Sequence, residues 1–178
     1  MSRKLNFGGI VLKHIATLRD NRTGSLSFVD ALVFLFVPLA IAISIAFLGN
    51  VLSNELLSLA VNFGAITTAL LMSVLVLVYD QESKLLSSSD DPSVKANKKI
   101  KLSLLRQLYQ NICFAIVTSL CVVVASFLEM FLKGLGVGGY MEYVLLFFAA
   151  VVVFLFINVV LTMLMIVKRF HALLTSGY

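Results

Sequence analysis

The side chains able to do chemistry are few and far apart in this chain. Its 178 residues include two histidines, His14 and His171, two cysteines, Cys113 and Cys121, and nine carboxylates. A metal centre needs three or four ligands at close spacing, and an activated nucleophile needs a base and an orienting group. The chain has no CxxC, HExxH, GxSxG or Walker sequence that would announce either arrangement. His14 falls on the apolar side of a short helical pattern, and His171 lies near the C-terminus with no evident partner, so both read as packed or surface imidazoles. Cys113 and Cys121 share one apolar run, where thiols serve as small packing groups rather than as a disulfide framework. The glycine-rich run from Gly134 to Gly139 does not match GxGxxG and follows no strand, so it reads as a turn rather than a phosphate cradle. No catalytic, cofactor-binding or metal-ligating residue is assigned, and the expectation is a protein that is not an enzyme.

The elements that would have to position any site are apolar. Hydrophobic residues make up 60% of the sequence and charged residues only 13%, against about 25% charged in a soluble domain. Crossing a hydrocarbon core of about 30 Å takes about 20 apolar residues. Four runs meet that length: Phe28 to Gly49, Glu55 to Tyr79, Leu108 to Leu132 and Tyr140 to Val167. Each is apolar all round, and backbone in lipid must pair its own polar groups, so these runs predict helices. The expected class is all-α: a polytopic membrane protein with four transmembrane helices and cytoplasmic amphipathic segments.

The basic residues orient it. Five precede the first run, six lie between the second and third (Lys84, Lys95, Lys98, Lys99, Lys101, Arg106), and Lys168 and Arg169 follow the fourth. Only Lys133 falls on the opposite side. Because Lys and Arg are retained in the cytoplasm, both termini are expected there. Four parts follow: an amphipathic entry segment 1–27, a first hairpin 28–79, a basic loop and helix extension 80–107, and a second hairpin with its tail 108–178. The outer loops are too short to form an extracellular domain. The entry segment lacks the apolar core of a secretory signal, so no cleaved leader is expected.

In the entry segment, Phe7, Ile10, Val11, Ile15 and Leu18 recur at helical spacing, as in a helix lying on the inner leaflet. Asp20 to Gly24 has turn composition, and Ser27 with Asp30 matches a capping box at the start of the first span. Further on, Ser87 to Pro92 marks a loop, after which Ile100, Leu104 and Leu108 share one helical face while Lys95, Lys99 and Arg106 share another. Lys95, Lys98, Lys99, Lys101 and Arg106 are therefore candidates for binding anionic lipid or docking a cytosolic protein. The net charge of +5 is spent on this membrane-flanking pattern, and direct nucleic-acid binding is not expected.

Within the spans no charge stands near the middle, where each would cost at least about 2.5 kcal/mol, and this counts against an ion-driven pump. Glu55, Glu129 and Glu142 map near the outer interface, with Glu129 and Lys133 at the favourable i, i+4 spacing. The spans carry small and uncharged polar residues instead. Ser58, Asn62, Ala65, Ala69 and Ser73 follow helical spacing in the second, Ala115, Ser119 and Ser126 in the third, and Asn158 and Thr162 stand in the fourth. Such residues serve helix packing, self-association into a homo-oligomer, or the lining of a pore. Pro38 removes the hydrogen bond to Phe34 in the first span and is a candidate hinge.

On the basic entry Arg3 to Arg22, the turn Asp20 to Gly24, Asp30 and Pro38 in the first span, and the basic segment Lys95 to Arg106, the chain resembles small four-span membrane proteins of bacterial anti-phage defence loci. It looks most like the membrane subunit of the Kiwa system, whose partner is a cytosolic DNA-binding protein. The resemblance implies a non-enzymatic membrane sensor that joins its partner through the cytoplasmic face and reacts when infection perturbs the envelope; no site residue is carried over from it. The resulting expectation is an inner-membrane subunit that anchors and regulates a cytosolic partner. The alternative is a small oligomeric pore-former, such as a depolarising effector or a holin-like protein, and the polar stripes and Pro38 motivate it.

Overall fold

The computed structural model describes residues 8, 9, 11, 28–48, 52–87, 95–135 and 139–175. Their architecture is all-helical, with four long helices in chain order: α1 (Phe28–Phe47), α2 (Asn54–Ser87), α3 (Lys95–Gly134) and α4 (Tyr140–Thr175). Three of these are long and apolar enough to cross a membrane: α2, α3 from Lys98 and α4 from Glu142. α1 contributes a shorter apolar stretch, Leu32–Phe47. Of the entry segment, Gly8, Gly9 and Val11 are helical. The other residues of that expected helix, the turn at Asp20 to Gly24 and the capping side chains Ser27 and Asp30 lie outside the description.

Local chemistry sets the helix ends. Ser53 caps α2: its hydroxyl accepts from the Leu56 amide at 3.2 Å and its carbonyl from the Leu57 amide at 3.0 Å, while Glu55 sits in the positive first turn. At the entry to α4, Gly139 takes a φ of +78°, a left-handed conformation that only glycine adopts without cost, and its carbonyl accepts from the Glu142 amide. α1 runs unbroken through Pro38 to Phe47.

The helices extend further than the apolar runs alone would require. α2 continues eight residues past Tyr79, and α3 begins at Lys95, thirteen residues before Leu108. α4 passes Val167 to Thr175, so Lys168, Arg169 and His171 stand on a helix instead of in a tail. The segment 80–107, expected as a loop followed by a helix extension, is thus mostly two helix ends, with 88–94 outside the description. At 1.5 Å per residue the 40 residues of α3 span about 60 Å, twice the thickness of a hydrocarbon core.

α3 is the central helix. It packs against α2 on one side and α4 on the other, and α1 packs on α4. Half of the apolar window of α3 is buried, against 22% in α2 and in α4. Two apolar clusters hold these helices together. Leu71 and Val78 of α2 meet Leu105, Leu108 and Ile112 of α3 and Ile166 of α4 at the basic end. Leu57 and Ala60 meet Val122, Ala125, Val152 and Val159 toward the short-loop end. Low residue numbers of α2 therefore lie beside high numbers of α3, which in turn lie beside low numbers of α4, so neighbours run antiparallel. Outward faces remain apolar, with Leu59, Leu70, Val76, Phe127, Phe147 and Leu164 among the exposed residues. A contiguous exposed apolar surface of this kind is not found on soluble monomers.

Candidate functional site

The two apolar clusters are separated along the helix axes by a layer of small and polar residues. Gly64 and Thr67 of α2, Ser119 of α3 and Thr162 of α4 lie between them and are buried, with Asn158 one turn from Thr162. The polar groups of this layer are satisfied locally. Ser119 Oγ donates to the Ala115 carbonyl at 2.7 Å, Thr162 Oγ1 to the Asn158 carbonyl at 2.7 Å, and Asn158 Nδ2 to the Phe154 carbonyl at 3.0 Å. Each of these bonds stays within one helix, so the Ser119 and Thr162 hydroxyls are quenched by their own backbones.

At the same level α2 and α3 approach closely. A Cβ at Gly64 would stand 2.7 Å from Val123 Cγ2 and 3.0 Å from the Ser119 carbonyl oxygen. Glycine is required here by proximity, which lets the two helices share van der Waals contact over their backbones.

This register differs from the polar stripe expected on α2. Ser58, Asn62, Ala65, Ala69 and Ser73 are exposed and point away from the other helices of the chain, whereas Leu57, Ala60, Gly64, Thr67, Leu71 and Val78 form the buried face. Ser119, Ser126 and Asn158 are buried within the helical assembly. The structure thus brings the α3 and α4 members of the expected set together and leaves the α2 members outside. The missed signal was Ala60-x-x-x-Gly64, a small-xxx-small pair at the spacing that lets backbones approach. Pro38 is buried, as is Ala42 four residues on, and α4 is the helix against which α1 packs.

Toward the short-loop end, the expected Glu129–Lys133 pair is present and more enclosed than its position implies. Glu129 is fully buried, Lys133 Nζ stands 3.3 Å from its Oε1, and the same ammonium donates to the Leu52 carbonyl before α2. Lys133 therefore ties the end of α3 to the connection between α1 and α2. One turn from Glu129, Ser126 Oγ is buried without a hydrogen bond.

At the opposite end the basic residues separate into distinct environments. Lys99 is exposed, and Lys98 is half-buried. Arg106 Nε donates to Glu82 Oε1 at 3.1 Å and so links the extensions of α2 and α3 by charge, while Lys84 pairs with Asp80 at 2.6 Å within α2. Lys101 is half-buried and lines a cleft with Leu105. This corrects the expected face on α3: Ile100 is exposed, and the inward stripe is Leu105, Leu108 and Ile112. The reason is that α3 is flanked by two helix extensions here, so its inner face is set by α2 and α4 together rather than by a flat membrane surface. Lys95 begins α3, and its side chain lies outside the description.

Cys113 and Cys121 are free thiols, and among the described residues no group of three His, Cys, Asp or Glu side chains could hold a metal ion. What the arrangement offers is a neutral, closely packed middle, a buried ion pair at one end and a cationic helical stalk at the other. Compared with known proteins, the chain matches no family model, no curated protein and no solved structure.

Proposed function

We propose that this chain is a non-enzymatic subunit of a bacterial inner membrane, spanning it four times with both termini in the cytoplasm, that anchors and regulates a cytosolic partner. One observation carries the reading: α2, α3 and α4 all outrun their apolar runs at the same end, and that end holds the basic residues. Basic flanks favour the cytoplasmic side. A stalk several turns long presents Lys99, Arg106 and Lys168 to solvent, a geometry suited to an acidic protein surface. Because α3 is continuous from this stalk to the buried Glu129, a displacement at the outer end has a rigid path to the partner. The resemblance to the Kiwa membrane subunit supports the same role and adds its biological setting, a sensor of envelope disturbance during infection.

The test is affinity capture and native mass spectrometry of the complex from cells expressing the gene with its chromosomal neighbours. The expected result is a stoichiometric cytosolic protein that is lost when Lys98, Lys99 and Arg106 are changed to Glu. Recruitment that survives this reversal refutes the docking mechanism.

A second reading has its own observation. The exposed stripe Ser58, Asn62 and Ser73 lies on a face of α2 that none of the other described helices covers, and a homo-oligomer would bury it, around a pore if the copies close into a ring. Ion leakage from liposomes holding the purified protein distinguishes that reading from the anchor.

A further inference from the structure

The cleft containing Lys101 lies between the ends of α2, α3 and α4 and has a volume of about 490 Å³, within the range of about 300–1,000 Å³ common to small-molecule sites. Its walls are Leu77, Val78 and Leu85 of α2, Leu105 of α3, and Phe170 and Leu173 of α4. Among the described residues two polar side chains reach it, Gln81 and Lys101. Along the helix axes it straddles the boundary between apolar and charged sequence: Leu77 and Val78 precede Asp80, Leu105 precedes the run beginning at Leu108, and Phe170 follows Lys168 and Arg169.

Charge bookkeeping within the site identifies its ligand. Asp80 is taken by Lys84 and Glu82 by Arg106, and among the described residues no acidic side chain lines the cleft. Lys101 forms no ion pair or hydrogen bond among the described residues, although it is half-buried against apolar walls. An ammonium whose stem lies against apolar walls suits an anion, and the walls beside it call for hydrocarbon. One molecule supplies both at this depth.

We infer that the cleft between α2, α3 and α4 binds an anionic phospholipid of the cytoplasmic leaflet, its acyl chain lying against Leu77, Leu105 and Phe170 and its phosphate held by Lys101 and Gln81. The site gives the basic residues separate tasks: Lys101 grips a lipid between the helices, while Lys99 faces outward. A lipid seated there wedges the stalk ends of three helices at once, so its headgroup chemistry bears on the stalk's geometry. The inference rests on the membrane reading of the fold and is independent of whether a cytosolic protein docks.

The test uses the full chain in mild detergent, titrated with phosphatidylglycerol and with phosphatidylcholine of identical acyl chains, and native mass spectrometry counts bound lipids. The expected result is one tightly held phosphatidylglycerol, preferred over phosphatidylcholine. Lys101→Gln weakens it about fivefold, the worth of one Lys at an anionic surface, and Lys99→Gln, which removes the same charge two residues away, leaves it unchanged. Leu77→Trp narrows the mouth of the cleft from an exposed position, where it does not disturb the core, and weakens both lipids. Equal losses for Lys99→Gln and Lys101→Gln would reduce the effect to diffuse attraction and overturn the site. So would equal affinity for the two lipids, or binding indifferent to Leu77→Trp. Retention of phosphatidylcholine with no headgroup preference overturns this inference while leaving the membrane reading intact.

Discussion

Replacing Gly64 by alanine tests whether the α2–α3 contact is the tight point of the fold. The new methyl group would meet Val123 Cγ2 at 2.7 Å and the Ser119 carbonyl oxygen at 3.0 Å. Val123 is β-branched and has essentially one helical rotamer, and the carbonyl belongs to the backbone of α3, so the helices must separate by several tenths of an ångström. Overpacking of this kind costs about 1–3 kcal/mol. Against it stands the gain from alanine over glycine inside a helix, about 1 kcal/mol. The net expectation is a loss of about 1 kcal/mol, equivalent to a fall of about 2–4 °C in melting temperature for a chain of this size. Gly134 supplies the control, since nothing lies within 4 Å of a Cβ built there. Gly134→Ala should keep the propensity gain and be neutral or stabilising. Val123→Ala removes the clashing methyl but not the Ser119 carbonyl, so the double variant with Gly64→Ala should recover part of the loss, with a favourable coupling of up to about 1 kcal/mol in the cycle. Thermal unfolding in detergent, followed by a thiol-reactive dye at the half-buried Cys113 in a Cys121→Ser background, reads all four variants. If Gly64→Ala raises the melting temperature as Gly134→Ala does, the close approach is not what holds α2 to α3.

Two further outcomes follow from the short-loop end. Lys133→Met should destabilise by about 3–5 kcal/mol because it strands the fully buried Glu129. Lys133→Met with Glu129→Gln should restore most of that loss, and the same thermal assay would contradict the pairing if the double variant were no better than the single one. Ser126→Ala deletes a buried hydroxyl that has no hydrogen-bond partner, so it should be neutral or stabilising, whereas Ser119→Ala should cost about 1 kcal/mol for its bond to Ala115.

The helices were legible in the sequence because each apolar run is long and uninterrupted, and the Glu129–Lys133 pair was legible from its spacing alone. Rotational register on α2 was not. A lipid-facing side is as apolar as a packed one, so hydrophobicity does not mark the interior, and the polar residues Ser58, Asn62 and Ser73 drew attention to a face that lies about 140° from Leu57 and Gly64. On α3 the same reasoning found Ser119 and Ser126 inside because that helix is flanked on two sides, which makes a buried position common. The length of the stalk was hidden for a different reason: Lys and Gln are good helix formers, so a charged segment such as Lys98 to Gln107 continues a helix as readily as it ends one. Lys101 looked like its basic neighbours until the third helix, α4, closed the cleft around it.

The order of the helices in space has a consequence for how the chain is made. α1 packs on α4, whereas α2 packs on α3, so α1 is held by a helix that is translated after both α2 and α3. During synthesis α1 must wait, without its native neighbour, while more than ninety residues from Phe47 to Tyr140 are translated and threaded. Truncation after α3 would leave α1 without the partner it packs on, beside an α2–α3 pair whose own contacts can already form.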